Sequence, residues 1–276
     1  METNFSPIEN YPFLSPFIFT DNPEELEVHK EALLKQLEEV WRPLAIDSSQ
    51  SMEYLTAREK VFAGVIEEYY REQYKKIVES SLCTNNSFGT LSKNTHLLDS
   101  IIHTAFEYGV ADLQILKERI KEDLKKELLF KKRSLPKKKK KLSLSRTQIE
   151  KVESNPEDPD QRQMLKYYES IEAELIHEIE NHSERLKELE ELLPQVQKSD
   201  IKLNLLLNHL VVFARGGYGR AELSFASDRD LGYCLDTQQL SAGESEICRQ
   251  FIVYIEHLLR EAGIETAHQY FELNED

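Results

Sequence analysis

Two aspartates one residue apart, Asp228 and Asp230, lie some ten residues beyond a glycine cluster, Gly216-Gly217-Tyr218-Gly219. On an extended strand, residues i and i+2 share a face, so both carboxylates would point the same way. Glycines let the backbone turn sharply and approach a ligand without Cβ atoms in between. Free N–H groups in such a turn bind phosphate oxygens. Two hard oxygen ligands opposite a phosphate-binding turn suit magnesium-assisted phosphoryl chemistry, with one or two Mg2+ ions held between the aspartates and a triphosphate. Each half alone is a weak signal, because paired aspartates are usually surface residues and glycine clusters are usually turns. The stretch is not a Walker A loop, since no Gly-Lys-Ser/Thr follows, and GGYG lacks the Gly-x-Gly-x-x-Gly spacing of a dinucleotide site.

The elements around the motif are short and alternate in type. Leu210 to Ala214 reads as an apolar strand running into the glycines, and Asp230 to Leu235 as a second strand. Ser241 with Glu244 three residues on forms a capping box at the start of a helix. Ile247, Phe251, Tyr254, Ile255 and Leu258 make that helix's inner face, and Gly263 ends it. Ile264 to Phe271 reads as a third strand. Cys234, at i+4 from Asp230, shares its face and reads as a small buried thiol. His268 on the last strand reads as a packing or surface histidine.

Everything upstream reads as helix. Residues 1–20 are taken as an extended arm, and Asp21-Asn22-Pro23-Glu24 as a helix start. That helix runs to about residue 45. A second covers about 52–79 with Phe62, Val65, Ile66, Tyr69 and Ile77 on one side, and a third covers about 94–130. CTNNSFGT, from Cys83, is expected to be a loop, and Trp41 to pack between helices. The run KKRSLPKKKKKLSLSR holds nine basic residues and no acid, and EKVESNPEDPD after it holds five acids. With Pro136 in its middle, this stretch reads as a charged linker over residues 131–160. A local site for an anionic partner, RNA or a lipid surface, is the competing reading. From Met164 to Leu193 apolar residues step by threes and fours in a heptad seam containing His182, a polar seam residue. It suits an antiparallel pairing with the 94–130 helix or a dimer through residues 161–193. The fold class is α+β: an all-helical region over 1–200, then a small mixed-sheet core over 201–276.

The order apolar strand, Gly-Gly, Asp-x-Asp, apolar strand resembles the DNA polymerase β-type nucleotidyltransferase superfamily. GGYGRAELSFASDRDL is similar to the GGYGRGEL…SDIDL segment of the bacterial PII-protein uridylyltransferases, and FIVYIEHLLREAGIETAHQYF to the helix and strand that follow there. The resemblance covers about residues 208–272. It implies that Gly216 and Gly217 hold nucleotide phosphates, that Asp228 and Asp230 bind magnesium, and that Arg220 and Ser227 lie near the phosphates and the first aspartate. The implied reaction moves a nucleoside monophosphate from a nucleoside triphosphate to an acceptor hydroxyl, on protein or RNA, and releases pyrophosphate. Such enzymes use a third carboxylate on a later strand as metal ligand and base. Glu265 is the candidate carried forward here, with Glu272 as the other acid in that stretch. Arg229 stands where an apolar residue is usual, and Ala221 where a glycine is usual. The competing function is a helical interaction or regulatory protein with a degenerate, non-catalytic nucleotidyltransferase fold.

Bulk composition narrows the classes. The chain has 276 residues, 31% of them charged, and a formal net charge of -15. That balance argues against a general nucleic-acid or membrane binder, so no membrane partner is expected, although a local basic site remains open. Three cysteines without paired spacing and no basic or apolar leader in METNFSPIENYPFL make a reducing, cytoplasmic setting the expectation.

Overall fold

Apolar residues at helical spacing build the first three helices, and each buries its stripe on the others. The computed structural model describes residues 23–41, 52–84, 87–153, 159–199, 206, 208–219 and 229–273. Helix α1 (Pro23–Trp41) buries Leu33 and Leu37; α2 (Met52–Thr84) buries Leu55, Phe62, Ile66 and Tyr69. Helix α3 (Ser87–Ala111) buries Leu97, Leu98, Ile101 and Ala105. Trp41 packs edge-on against Tyr54, with ring centroids 5.0 Å apart, as its composition suggested. The expected N-terminal arm lies outside the described residues. Helix α2 runs on to Thr84 and α3 begins at Ser87, so of the expected loop CTNNSFGT, 83–84 and 87–90 are helical, and 85–86 lie outside the described residues.

Strand β1 (Leu210–Ala214) leads into a single helical turn, α6 (Gly216–Gly219). Strand β2 (Asp230–Asp236), helix α7 (Ala242–Glu261) and strand β3 (Ala267–Leu273) follow. The sheet order is β1-β2-β3, with β1 antiparallel and β3 parallel to β2. Leu231, Tyr233 and Leu235 alternate along β2 and are almost fully buried. Helix α7 carries the expected capping box between Ser241 and Glu244 and buries Ile247, Phe251, Tyr254, Ile255 and Leu258. Gly263 beyond its end has φ 73°, the left-handed conformation that stops a helix with least strain. The chain is thus mostly helical with a small three-stranded mixed sheet at its C-terminal end. No helix among the described residues is long and apolar enough to cross a membrane.

The chain divides into two compact units, Met1–Arg119 with Asp200–Asp276, and Ile120–Ser199. This differs from a division at residue 200. The reason is that α7 packs on the early helices: Phe106 meets Phe251 at 5.6 Å between ring centroids. The hydroxyl of Tyr254 donates to Asp112 Oδ2 at 3.0 Å, and Asp112 Oδ1 lies 2.5 Å from Arg58 Nε. Arg58 also stacks 3.9 Å from the Tyr108 ring centroid. Burial pushes the Asp112 carboxyl up to about 6, against the pull of Arg58.

The second unit is a helical hairpin. Helix α4 (Leu113–Glu153) runs unbroken through Pro136, and α5 (Pro159–Lys198) through Pro194. The expected linker over 131–160 is therefore helix up to Glu153 and again from Pro159, and the residues between lie outside the described ones. An interior proline costs about 3 kcal/mol, and contacts with α5 flank it on either side. Lys132 Nζ lies 2.7 Å from Glu190, Ser134 Oγ lies 2.7 Å from His182 Nε2, and Lys138 Nζ lies 2.9 Å from Glu178. Partner numbers fall as α4 ascends, so the helices are antiparallel. The antiparallel pairing expected for the 161–193 seam is present, but its partner is the segment after residue 120. His182 is a buried seam residue, held by Ser134.

Candidate functional site

Strand β1 ends where the chain must leave the sheet, and the glycines set how it leaves. The Arg215 N–H donates to the Asp230 carbonyl at 2.8 Å, and the Gly219 N–H to the Arg215 carbonyl at 2.8 Å. Gly216 between them has φ 56°. A Cβ built on Gly216 would stand 3.0 Å from Asp230 Oδ2. The glycine backbone and the aspartate carboxylate therefore meet at one corner of the sheet, and any larger residue would both strain the turn and crowd the carboxylate. Gly217 lies in the same turn. Arg220, Ser227 and Asp228 lie outside the described residues, so of the expected metal pair only Asp230 is placed.

Strand alternation assigns faces to the remaining candidates. Asp230, Gly232 and Cys234 share one face of β2, and Leu231, Tyr233 and Leu235 the other. In register, Asp230 pairs with Ala267 and Gly232 with Gln269, while Leu231 pairs with His268 and Leu235 with Glu272. Ala267 and Gln269 thus stand beside Asp230's side of the sheet. Glu272 points to the α7 side, where Arg249 Nε donates to it at 2.6 Å and the Tyr270 hydroxyl at 2.8 Å. Those bonds, Arg249 foremost, hold its carboxyl below the usual range. His268 faces α7 as well, 3.0 Å from Glu256. Glu265 is exposed in the segment before β3, not on the strand, and its carbonyl accepts from Arg229 Nη1 at 3.4 Å. The Arg215 guanidinium donates to Gln269.

The helical region supports this corner from behind. Tyr218, in the middle of the glycine turn, is buried and donates its hydroxyl to Asp99 Oδ1 on α3 at 2.5 Å. Burial pushes the Asp99 carboxyl up to about 7, against the Tyr218 hydrogen bond. Arg229 Nη2 donates to the Tyr70 hydroxyl on α2 at 2.9 Å, and its guanidinium lies 5.5 Å from that ring's centroid. A cation between two aspartates had to find a partner on the far side of the strand, and Tyr70 is that partner. On the open face, the Phe213 ring lies over Gly232, where a Cβ would come within 2.3 Å of it, and stacks beside Phe271 at 6.1 Å between centroids.

Asp99, Tyr70, Phe213 and Gln269 were not flagged by the sequence. A tyrosine between glycines was the one local sign that the turn is anchored to something. Among the described residues no three His, Cys, Asp or Glu side chains group as metal ligands. The donor that is placed, an aspartate carboxylate beside a glycine turn, is of the hard-oxygen type that magnesium takes. Set against protein-family models, curated proteins and solved structures, the chain matches none.

Proposed function

We propose that the corner formed by Gly216 and Asp230 takes the phosphates of a nucleoside triphosphate with Mg2+, as part of a nucleotidyltransferase. The observation that carries this reading is the 3.0 Å between Asp230 Oδ2 and the position of a Gly216 Cβ. A phosphate entering against the glycine backbone meets a carboxylate at once, and like charges in that position call for a divalent cation. Bound magnesium would supply the charge neutralisation that phosphoryl chemistry requires. Asp230, with Asp228 before it in sequence, would hold the ion. Gly216 and Gly217 would let the phosphates approach, and Arg220 and Ser227 would line the approach. An acceptor hydroxyl, on protein or RNA, would attack the α-phosphate, and pyrophosphate would leave. Glu265 is the acid that would complete the set, by swinging in from the segment before β3.

A second reading, a non-catalytic module of the same fold, is favoured by a specific observation. The β3 positions next to Asp230's face carry Ala267 and Gln269, and Arg215 already engages Gln269. Calorimetry with each nucleoside triphosphate, with and without Mg2+, on the wild type and on Asp228→Asn/Asp230→Asn separates the outcomes. The leading reading expects magnesium-dependent binding that the double variant loses. It also expects transfer of label from an α-labelled triphosphate, lowered at least about a hundredfold by Asp230→Asn. Binding without transfer supports the non-catalytic module. Absence of binding in every condition overturns the leading reading and leaves the glycine turn as a fold element of the non-catalytic module.

A further inference from the structure

The basic run on α4, which the candidate site does not use, splits into two populations. On the side facing α5, Lys132, Lys138 and Arg146 pair with Glu190, Glu178 and Glu172. On the outer side Arg133, Lys137 and Lys140 follow one another at steps of four and three, all exposed, with no acid partner among the described residues. At 3.6 residues per turn these steps fall in one stripe along the helix. The same stripe takes in Phe130, three residues before Arg133, and Leu144, four residues after Lys140, with Leu129 at its edge. These three side chains are 66%, 56% and 53% exposed. Lys141 borders the stripe and is exposed too.

We propose that this stripe is a docking surface for the anionic headgroups of a phospholipid membrane, on which the hairpin lies without crossing it. Clustered cations on a helix that also presents large apolar side chains have the composition of an interfacial segment. Leu129, Phe130 and Leu144 decide between anionic partners. Leucine and phenylalanine side chains gain by entering the boundary between headgroups and acyl chains, whereas a nucleic-acid backbone offers two leucines nothing to bury against. From Phe130 to Leu144 the stripe extends about 21 Å along the helix, a length several headgroups wide. The outer side of α5 carries Glu180, Glu184 and Glu191, which outnumber Lys187 on the same stripe, all exposed. The hairpin therefore has a basic and an acidic side, and only one of them suits an anionic surface. The net charge of -15 does not oppose this locally. At physiological ionic strength fields decay within about 8 Å, so a headgroup at the stripe feels the cations beside it rather than acids elsewhere on the chain.

The test is co-sedimentation of the full chain with vesicles of phosphatidylcholine alone and of phosphatidylcholine mixed with phosphatidylglycerol. The wild type should partition onto the mixed vesicles only, and less so as salt rises. Arg133→Glu/Lys137→Glu/Lys140→Glu should lower partitioning at least about tenfold. Leu129→Ser/Phe130→Ser/Leu144→Ser should lower it several-fold while leaving the salt dependence in place. Circular dichroism checks that each variant keeps its helix, and Arg133→Gln/Lys137→Gln/Lys140→Gln replaces the charge reversal if that variant does not. Failure of the wild type to sediment with mixed vesicles at low salt overturns the proposal. So does binding to duplex RNA that the charge reversal abolishes, with vesicle partitioning absent; the stripe is then a nucleic-acid surface.

Discussion

The two compact units are both made largely of charged helices, yet they are held by different forces. In the unit of α1–α3, α7 and the sheet, side chains such as Phe62, Ile66, Leu97, Ile101, Tyr233 and Phe251 are nearly or wholly removed from water. In the α4–α5 hairpin Leu189 and Val196 are fully buried, but seam residues such as Ile171, Leu175 and Ile179 stay half-buried. The hairpin compensates with ion pairs across the seam, among them Arg185 with Glu127 at 3.0 Å. A charge can therefore mean opposite things in one chain. Arg58 is buried and held by Asp112, whereas Arg185 remains exposed enough for water to compete with its partner.

The largest effect that would test this contrast comes from Asp112→Ala. It strands the buried Arg58 guanidinium and the Tyr254 hydroxyl, and should destabilise the first unit by about 3–5 kcal/mol in urea unfolding. A loss under 1 kcal/mol would show that water reaches the pair. Next is Gly232→Ala, whose Cβ would press on the Phe213 ring. About 1–3 kcal/mol should be lost on overpacking, and Phe213→Ala in the same chain should recover part of it. Asp99→Asn sharpens the comparison by pH. The Asp99 carboxyl is raised in the folded state to about 7, so its contribution is full below the unfolded value and is lost as pH rises toward 7. Asp112, raised to about 6, acts in the same sense. Asp99→Asn should remove part of the fall in stability between about pH 4 and about pH 7, some 1–3 kcal/mol given the residue's partial exposure. An unchanged pH profile would place the Asp99 carboxyl in water.

On the hairpin, Glu127→Ala should cost no more than about 1 kcal/mol, and less in high salt, read from the unfolding of the α4–α5 signal. A loss as large as that of Asp112→Ala would erase the distinction between the units. The smallest change is Tyr233→Phe. The Tyr233 hydroxyl is buried and has no hydrogen-bond partner among the described residues, so its removal should be neutral or stabilising by about 1 kcal/mol. A clear loss in melting temperature would reveal a partner for that hydroxyl.

What the sequence made legible were the local features. Strand β1 was readable because five apolar residues stop at glycines, and α7 because its cap and its 3.6-residue stripe are written within twenty residues. The face shared by Asp230 and Cys234 follows from a period of two. Non-local facts were not legible. Pro136 signals a break, whereas the contacts with α5 that flank it, through Lys132, Ser134 and Lys138, lie some 40–60 residues away in the chain. Glu272 looked available as an acid near the site, but the parallel register turns it toward α7 and Arg249. Tyr70 and Asp99 carry no mark in their own surroundings. Their partners, Arg229 and Tyr218, lie 159 and 119 residues away in the chain. The corner at Gly216 and Asp230 could thus be located from its own residues, while the groups that brace it could not.

The interrupted order of the first unit has a consequence for synthesis. Its early helices, through Arg119, emerge from the ribosome before the hairpin, and α7, which covers α3 through Phe251 and Tyr254, begins only at Ala242. At about 5–20 residues per second, roughly 6–25 s separate the two. For that interval the α3 surface around Phe106 and Asp112 has no cover, and the nascent chain carries a sticky, half-made core. The hairpin that translates in between folds from its own local contacts, and it delays closure of the core by the time taken to make it.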